Sequence, residues 1–115
     1  MFQIHACAAK AGVNQVVKCL AMEWGPENIR VNAVSPGPIG DTEGMARLAP
    51  SGAAAEASKS KIPLRDWGTK DDIGDACLWL ASDAARYVTG AIINVDGGSE
   101  FGDASLDATK VDASK

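Results

Sequence analysis

The chain has 115 residues, room for one small domain, and carries 11 basic against 15 acidic side chains for a net charge of −4. That balance argues against a nucleic-acid surface, and no basic run is interleaved with aromatic residues. No apolar run is long enough to span a bilayer, and the amino terminus does not read as a signal peptide.

The first element is a long amphipathic helix. Val13, Val16, Val17, Leu20, Ala21 and Trp24 recur at spacings of three and four, which predicts one apolar stripe. Gly25-Pro26 ends it, because Pro cannot continue a helix and Gly takes a terminating conformation easily. Lys10 falls in its first turns, within His5-Ala6-Cys7-Ala8-Ala9-Lys10-Ala11-Gly12. A buried strand is predicted from Ile29 to Val34, where Ile29, Val31 and Ala33 alternate with Arg30 and Asn32 before Val34 interrupts the pattern. It stops at Pro36-Gly37-Pro38-Ile39, where the prolines fix φ and the glycine permits conformations that a side chain forbids. A loop at the carboxyl end of a strand in an open α/β sheet is where ligands usually bind. An ordinary strand-to-helix connection competes equally on these residues alone.

Thr42 suits an N-cap for a short helix over Glu43–Leu48. The Ala-, Ser- and Lys-rich stretch from Ser51 to Lys61 predicts a mobile helical lid. Thr69-Lys70-Asp71-Asp72 has capping-box spacing and starts a helix to about Ala81, with Ile73, Ala76, Cys77 and Leu80 as its stripe, widened by Leu78 and Trp79. Ala91–Val95 reads as a short, largely buried strand ended by Asp96-Gly97-Gly98. From Ser99 onward Gly, Asp, Ser and Lys dominate, which predicts a disordered tail over 99–115.

Between Met45 and Arg65, the basic residues Arg47, Lys59, Lys61 and Arg65 face Glu56 alone, a local positive excess in an acidic chain. It suits a phosphorylated ligand, with an exposed charged helix as the competing reading. The three cysteines, Cys7, Cys19 and Cys77, have no metal-ligand spacing, and no metal site is expected. On one helix Cys7 and Cys19 stand about 18 Å apart, beyond disulfide reach. Buried thiols in a reducing compartment are the expectation.

This order of features resembles the carboxyl-terminal half of the short-chain dehydrogenase/reductase family. The likeness runs from about Ile4 to Gly98. It rests on the helix lysine, Ala21-Met22-Glu23-Trp24-Gly25 ahead of Ile29-Arg30-Val31-Asn32, Pro36-Gly37, and Tyr87-Val88-Thr89-Gly90 with Val95-Asp96-Gly97-Gly98. The fold implied is α/β, the carboxyl-terminal part of a doubly wound Rossmann-type parallel sheet, incomplete for want of the amino-terminal βαβ units. Residues 1–98 would form that half-domain, a fragment inactive by itself and exposing an apolar edge if alone. The family's active lysine normally follows a tyrosine by four residues, and here that position is Ala6. Residues so spaced share a helix face. His5 lies roughly 140° around the helix from Lys10 and does not replace the phenol. The only tyrosine, Tyr87, is expected to pack in the final-strand motif.

One branch of the family lacks that tyrosine, the 2,4-dienoyl-CoA reductases, whose peroxisomal members this chain resembles. The branch implies NADPH as cofactor and an acyl-CoA substrate. It further implies Lys10 on the nicotinamide ribose in a catalytic role, and Pro36, Gly37, Pro38 and Ile39 lining the nicotinamide. Thr42 would give a hydroxyl to the cofactor's amide or phosphate, or cap its helix, or both. Arg47 would meet the acyl-CoA phosphates, since a guanidinium offers a planar fork of donors. A homo-oligomer in the complete enzyme follows from the same likeness. So does peroxisomal localisation, although Ala113-Ser114-Lys115 lacks the leucine of a Ser-Lys-Leu address. The other readings are a non-catalytic oligomerising remnant and a 3-oxoacyl thioester reductase, the latter disfavoured by Ala6.

Overall fold

A computed structural model describes residues 3–49 and 52–105. In chain order the elements are α1 (Ile4–Trp24), β1 (Ala33–Pro36), α2 (Glu43–Leu48), α3 (Gly52–Ser60), α4 (Lys70–Ala81) and β2 (Ile92–Val95). Short 3-10 turns lie at Gly25–Glu27, Asp83–Ala85 and Ser99–Phe101. β1 and β2 pair in a two-stranded sheet. The Ala33 amide donates to the Ala91 carbonyl and the Gly37 amide to the Val95 carbonyl. Both strands therefore advance together, which makes the pair parallel and requires a crossover, here supplied by helices.

Packing divides the chain into two compact units, Met1–Ser35 with Gly74–Ile93, and Pro36–Ile73 with Asn94–Lys115. In the first, the buried residues are Val17, Ala21, Leu80 and Ala85. Gly90, at a φ of 74°, lies against α1, where an added Cβ would come within 3.3 Å of Ala21 Cβ. The wide apolar stripe expected of α1 is not covered, since Val13, Val16 and Trp24 are exposed. Among the described residues the one element that packs broadly on α1 is the adjoining turn Gly25–Glu27, so only the line through Val17 and Ala21 is shielded. The expected buried thiols are corrected for the same reason: Cys7, Cys19 and Cys77 are all exposed and free. Tyr87 does not pack either. It is 88% exposed, while Ala85 beside it is fully buried.

The predicted strand at Ile29–Val34 is displaced to Ala33–Pro36 and is half-buried at its start and exposed at its end. The reason lies in side-chain hydrogen bonds that replace a ladder. The Val31 backbone amide donates to Thr89 Oγ1 at 3.0 Å, and the Asn32 side-chain Nδ2 donates to the Val88 carbonyl at 3.0 Å. Asn32 Oδ1 accepts the Ala91 amide at 3.0 Å, and Arg30 donates to the carbonyls of Leu80 and Val88. The Val31 amide and carbonyl are thus taken by Thr89 Oγ1 and the Gly90 amide, the Asn32 and Arg30 side chains take backbone groups of Leu80, Val88 and Ala91, and ladder pairing starts only at Ala33.

In the second unit Ile62 is buried. Gly97 and Gly98, with φ of 62° and 89°, leave no room for a Cβ, which would sit 2.9 Å from Ile62 Cγ2 and 2.9 Å from Pro63 Cγ respectively. The Asp96 carboxylate accepts the amides of Gly98 and Glu100 and so holds the turn Ser99–Phe101. The Ala104 amide reaches the Lys61 carbonyl at 2.8 Å. Hydrogen bonds from Ser105, with Lys61 and Arg65 nearby, hold the Asp103 carboxyl below the usual carboxylate range. The rest of the expected disordered tail, 106–115, lies outside the described residues. α4 begins with the expected capping box: Thr69 donates its amide to Asp72 Oδ2 at 2.8 Å, and Asp72 returns its amide to Thr69 Oγ1 at 3.2 Å.

Replacing Asn32 with Ala leaves the Ala91 amide without its acceptor and the Val88 carbonyl with Arg30 alone. It should lower unfolding stability by about 1–3 kcal/mol, read as a lower urea midpoint at unchanged slope. An unchanged midpoint would mean the side chain does not stand in for the ladder.

Candidate functional site

The exit of β1 is built by backbone register. Ala33 and Gly37 donate to β2, so Pro36 sits at the opposite parity and its missing N–H falls on the edge away from the partner strand. That is why a proline is tolerated there. At Gly37 a Cβ would meet Asp96 Cβ at 2.6 Å and Asp96 Cα at 2.7 Å, so only glycine allows this approach. The chain next forms an isolated parallel bridge between Ile39 and Gly68. The Gly68 amide donates to the Pro38 carbonyl at 3.0 Å, and the Gly40 amide to the Gly68 carbonyl at 2.9 Å.

Ile39 is consequently turned with its own backbone groups the other way. Its carbonyl accepts the Thr42 hydroxyl at 2.7 Å. Its amide has no hydrogen-bond partner among the described residues. Thr42 also accepts the Met45 amide at 3.3 Å, which makes it the N-cap of α2 as expected. A hydroxyl has one proton and two acceptor sites. With the proton on Ile39 and one acceptor site on Met45, Thr42 keeps one acceptor site. The loop therefore leaves one backbone donor, on Ile39, and one hydroxyl acceptor site, on Thr42, without a partner among the described residues.

Arg47 lies on α2 and is exposed, its guanidinium paired with Glu43 at 2.7 Å one turn earlier. An exposed i,i+4 pair is worth only about 0.3–0.5 kcal/mol, so a phosphate can displace it. The positive excess expected over Met45–Arg65 is reduced by acids outside that window. Lys59 contacts Asp66 at 3.5 Å, and the charges of Lys61 and Arg65 help to lower the Asp103 carboxyl.

Pro36, Gly37, Pro38, Ile39, Thr42 and Arg47 thus all belong to the second unit, on one short stretch of chain. Lys10 belongs to the first, exposed on α1, with half-buried Ala6 one turn before it and exposed His5 beside that. Two contributors were missed from sequence. Asp41 accepts the Lys70 amide at 2.9 Å, and Trp67 packs on Gly40. Neither carries a local signal, since both act across long sequence separations. No group of His, Cys, Asp or Glu that could hold a metal ion occurs among the described residues. Nor is any described helix long and apolar enough to cross a membrane.

A parallel α/β unit with a glycine-dependent loop at a strand's carboxyl end is the architecture of a dinucleotide-type fold. Residues 2–100 match a family model described as enoyl-(acyl carrier protein) reductase, and the chain belongs to the short-chain dehydrogenase/reductase family, with a partial Rossmann-type fold. Over 99 residues it is 48% identical to the peroxisomal 2,4-dienoyl-CoA reductase of Mus musculus, covering 86% of this chain and 34% of that protein. Among solved structures, a 4-hydroxyisoleucine dehydrogenase mutant complexed with NADH and succinate superposes with a TM-score of 0.75 at 38% identity, over 84% of this chain and 39% of that one. A dehydrogenase structure from Agrobacterium tumefaciens with bound NADP gives 0.71 at 46% identity, over 79% and 37%. The chain spans about a third of the length of the curated relatives it matches.

Gly37→Ala should destabilise the chain by about 1–3 kcal/mol, the usual cost of forced overpacking, measured as a lowered thermal midpoint. A midpoint equal to the parent's would show that the Asp96 approach is not tight.

Proposed function

We propose that residues 1–98 form the carboxyl-terminal part of an NADPH-dependent 2,4-dienoyl-CoA reductase. The observation that carries this reading is Ala6 one helical turn ahead of the exposed Lys10. A ketone reductase needs a proton donor beside its lysine, because charge develops there as an alkoxide. Reduction of a conjugated dienoyl thioester spreads charge over an extended enolate, which oxyanion donors and a differently placed acid can serve. The 48% identity to a mouse protein of that name supports the same reading.

The loop residues fit the cofactor. NADPH, when bound, supplies the hydride. The Ile39 amide donates to the nicotinamide carboxamide oxygen, and the remaining acceptor site of Thr42 takes a carboxamide N–H. Thr42 reaches a phosphate only by giving up its bond to Ile39, so of its two expected ligands the amide is favoured. Pro36, Gly37 and Pro38 fix the loop that lines the ring. Lys10 donates to the ribose hydroxyls and raises the local positive potential. Arg47 exchanges Glu43 for the phosphates of an acyl-CoA. Homo-oligomeric assembly and peroxisomal residence belong to this reading too, supported by exposed Val13, Val16 and Trp24 on α1 and by the naming of the mouse relative.

The direct test is fluorescence titration of the purified chain with NADPH, followed by addition of a 2,4-dienoyl-CoA. The chain by itself is expected to be inactive, with no loss of the reduced-nicotinamide absorbance. Saturable binding followed by that loss would mean that residues 1–98 assemble a working site, and a folded chain that binds no NADPH would mean that the part of the relatives' length outside this match holds the cofactor. In the assembled reductase, Arg47→Ala should raise KM for acyl-CoA by about tenfold or more, the loss of one charge-assisted bond. Its KM for NADPH should stay unchanged. Lys10→Ala should instead weaken NADPH binding and turnover. Equal effects of Arg47→Ala on both substrates would remove the phosphate assignment.

A further inference from the structure

α3 buries none of its residues fully, and its contacts run along a half-buried face of Ala54, Ala55, Ser58 and Lys59. Those at its carboxyl end converge on the segment Asp66–Gly68. Trp67 Nε1 donates to Ser58 Oγ at 3.2 Å, Lys59 Nζ stands 5.0 Å from the Trp67 ring centroid, and the same ammonium is 3.5 Å from Asp66 Oδ1. A cation over an indole face is attracted by the ring quadrupole, and here the lysine is partly desolvated. The other side of this segment holds the Pro36–Ile39 loop. The Trp67 ring lies on the bare Cα of Gly40, where an added Cβ would come within 2.7 Å of Cε3. Gly68 meanwhile bonds both Pro38 and Gly40 through its backbone. One indole is therefore shared between a surface helix and the loop that follows β1.

We propose that Trp67 is a positioning residue that couples α3 to the 36–40 loop, so that a displacement of α3 shifts the loop and the reverse. The coupling itself stands on these contacts alone. Its consequence for catalysis rests on the reading of residues 36–39 as the cofactor loop and of the stretch 51–61, expected from sequence to be a lid, as covering the substrate cleft. On that reading, engagement of the thioester substrate at α3 reaches the nicotinamide-lining residues through a rigid aromatic wedge. The contacts are local enough to act as a lever because α3 has no fully buried residue to anchor it.

Millisecond-quench hydrogen exchange on the 115-residue chain tests the coupling with Gly40→Ala, Trp67→Phe and Trp67→Ala. Gly40→Ala wedges the ring away from the loop, and exchange across α3 should rise several-fold although the substitution lies outside α3. Trp67→Phe keeps a ring on Gly40 but loses the bond to Ser58. It should speed exchange in α3 while the amides of Gly37, Ile39, Gly40 and Asp41 keep parental rates. Trp67→Ala should speed both segments together. The proposal is overturned if Gly40→Ala leaves α3 unchanged, or if the Trp67 variants accelerate α1 and β2 as much as the two segments, the mark of general destabilisation. Should Trp67→Ala not fold, Gly40→Ala and Trp67→Phe decide the matter. In the assembled reductase Trp67→Phe should raise KM for acyl-CoA with NADPH affinity retained, a split that a merely structural role would not produce. An assembled reductase whose NADPH affinity is unchanged by substitution at Ile39 and Thr42, while the parent chain shows the coupled exchange, withdraws the cofactor role of the loop and leaves the coupling intact.

Discussion

The parallel register of β1 on β2 is the constraint from which the rest of the site follows. Donation from Ala33 to Ala91 and from Gly37 to Val95 sets the parity of every residue between them. Parity makes Pro36 admissible, because its absent N–H is not asked to join the ladder. It also brings Gly37 against Asp96 so closely that a side chain is excluded. The chain then leaves the sheet with Ile39 oriented by the Gly68 bridge, its amide open and its carbonyl held by Thr42. A shift of one residue in this pairing would turn each of those groups to the opposite side.

Polar side chains do much of what longer strands would do elsewhere. Thr89 satisfies the Val31 amide ahead of β1, Asn32 and Arg30 satisfy backbone groups of Leu80, Val88 and Ala91 ahead of β2, and Asp96 and the capping box of Thr69 and Asp72 order the segments after β2 and before α4. The apolar contribution is correspondingly small: among the described residues only Val17, Ala21, Ile62, Leu80 and Ala85 are buried. An acidic chain with so few buried side chains depends on hydrogen bonds whose loss leaves an unsatisfied backbone group, and those losses are costly. Surface ion pairs such as Arg47 with Glu43 add little by comparison and are free to be exchanged for a ligand.

Much of the fold was legible because its signals are local. The stop at Gly25-Pro26, the cap at Thr42, the box at Thr69 and Asp72, and the strand ending at Asp96-Gly97-Gly98 each depend on residues within a turn of one another. The candidate site was legible in the same places. Pro36, Gly37, Pro38, Ile39 and Thr42 sit together because they are neighbours in sequence as well as at the strand exit. Burial was read poorly. The stripes on α1 and α4 were visible as periodicity, but Val13, Val16, Trp24, Leu78 and Trp79 are exposed. Periodicity reports which face a helix can bury, and a partner element decides whether it does.

The amino-acid sequence by itself determined the element order, the glycine and proline punctuation, the helix caps and the family, because each rests on short-range stereochemistry or on residue identity. Tertiary structure alone decided that the strand begins at Ala33 rather than Ile29, since Thr89 and Asn32 had to be brought alongside Val31 and Ala91. It likewise decided which backbone groups of Ile39 stay open and that Trp67 sits on Gly40, since both depend on Gly68 and its neighbours approaching the loop from far along the chain. Contacts between residues distant in sequence leave no periodic or local trace, so only the folded chain reveals them.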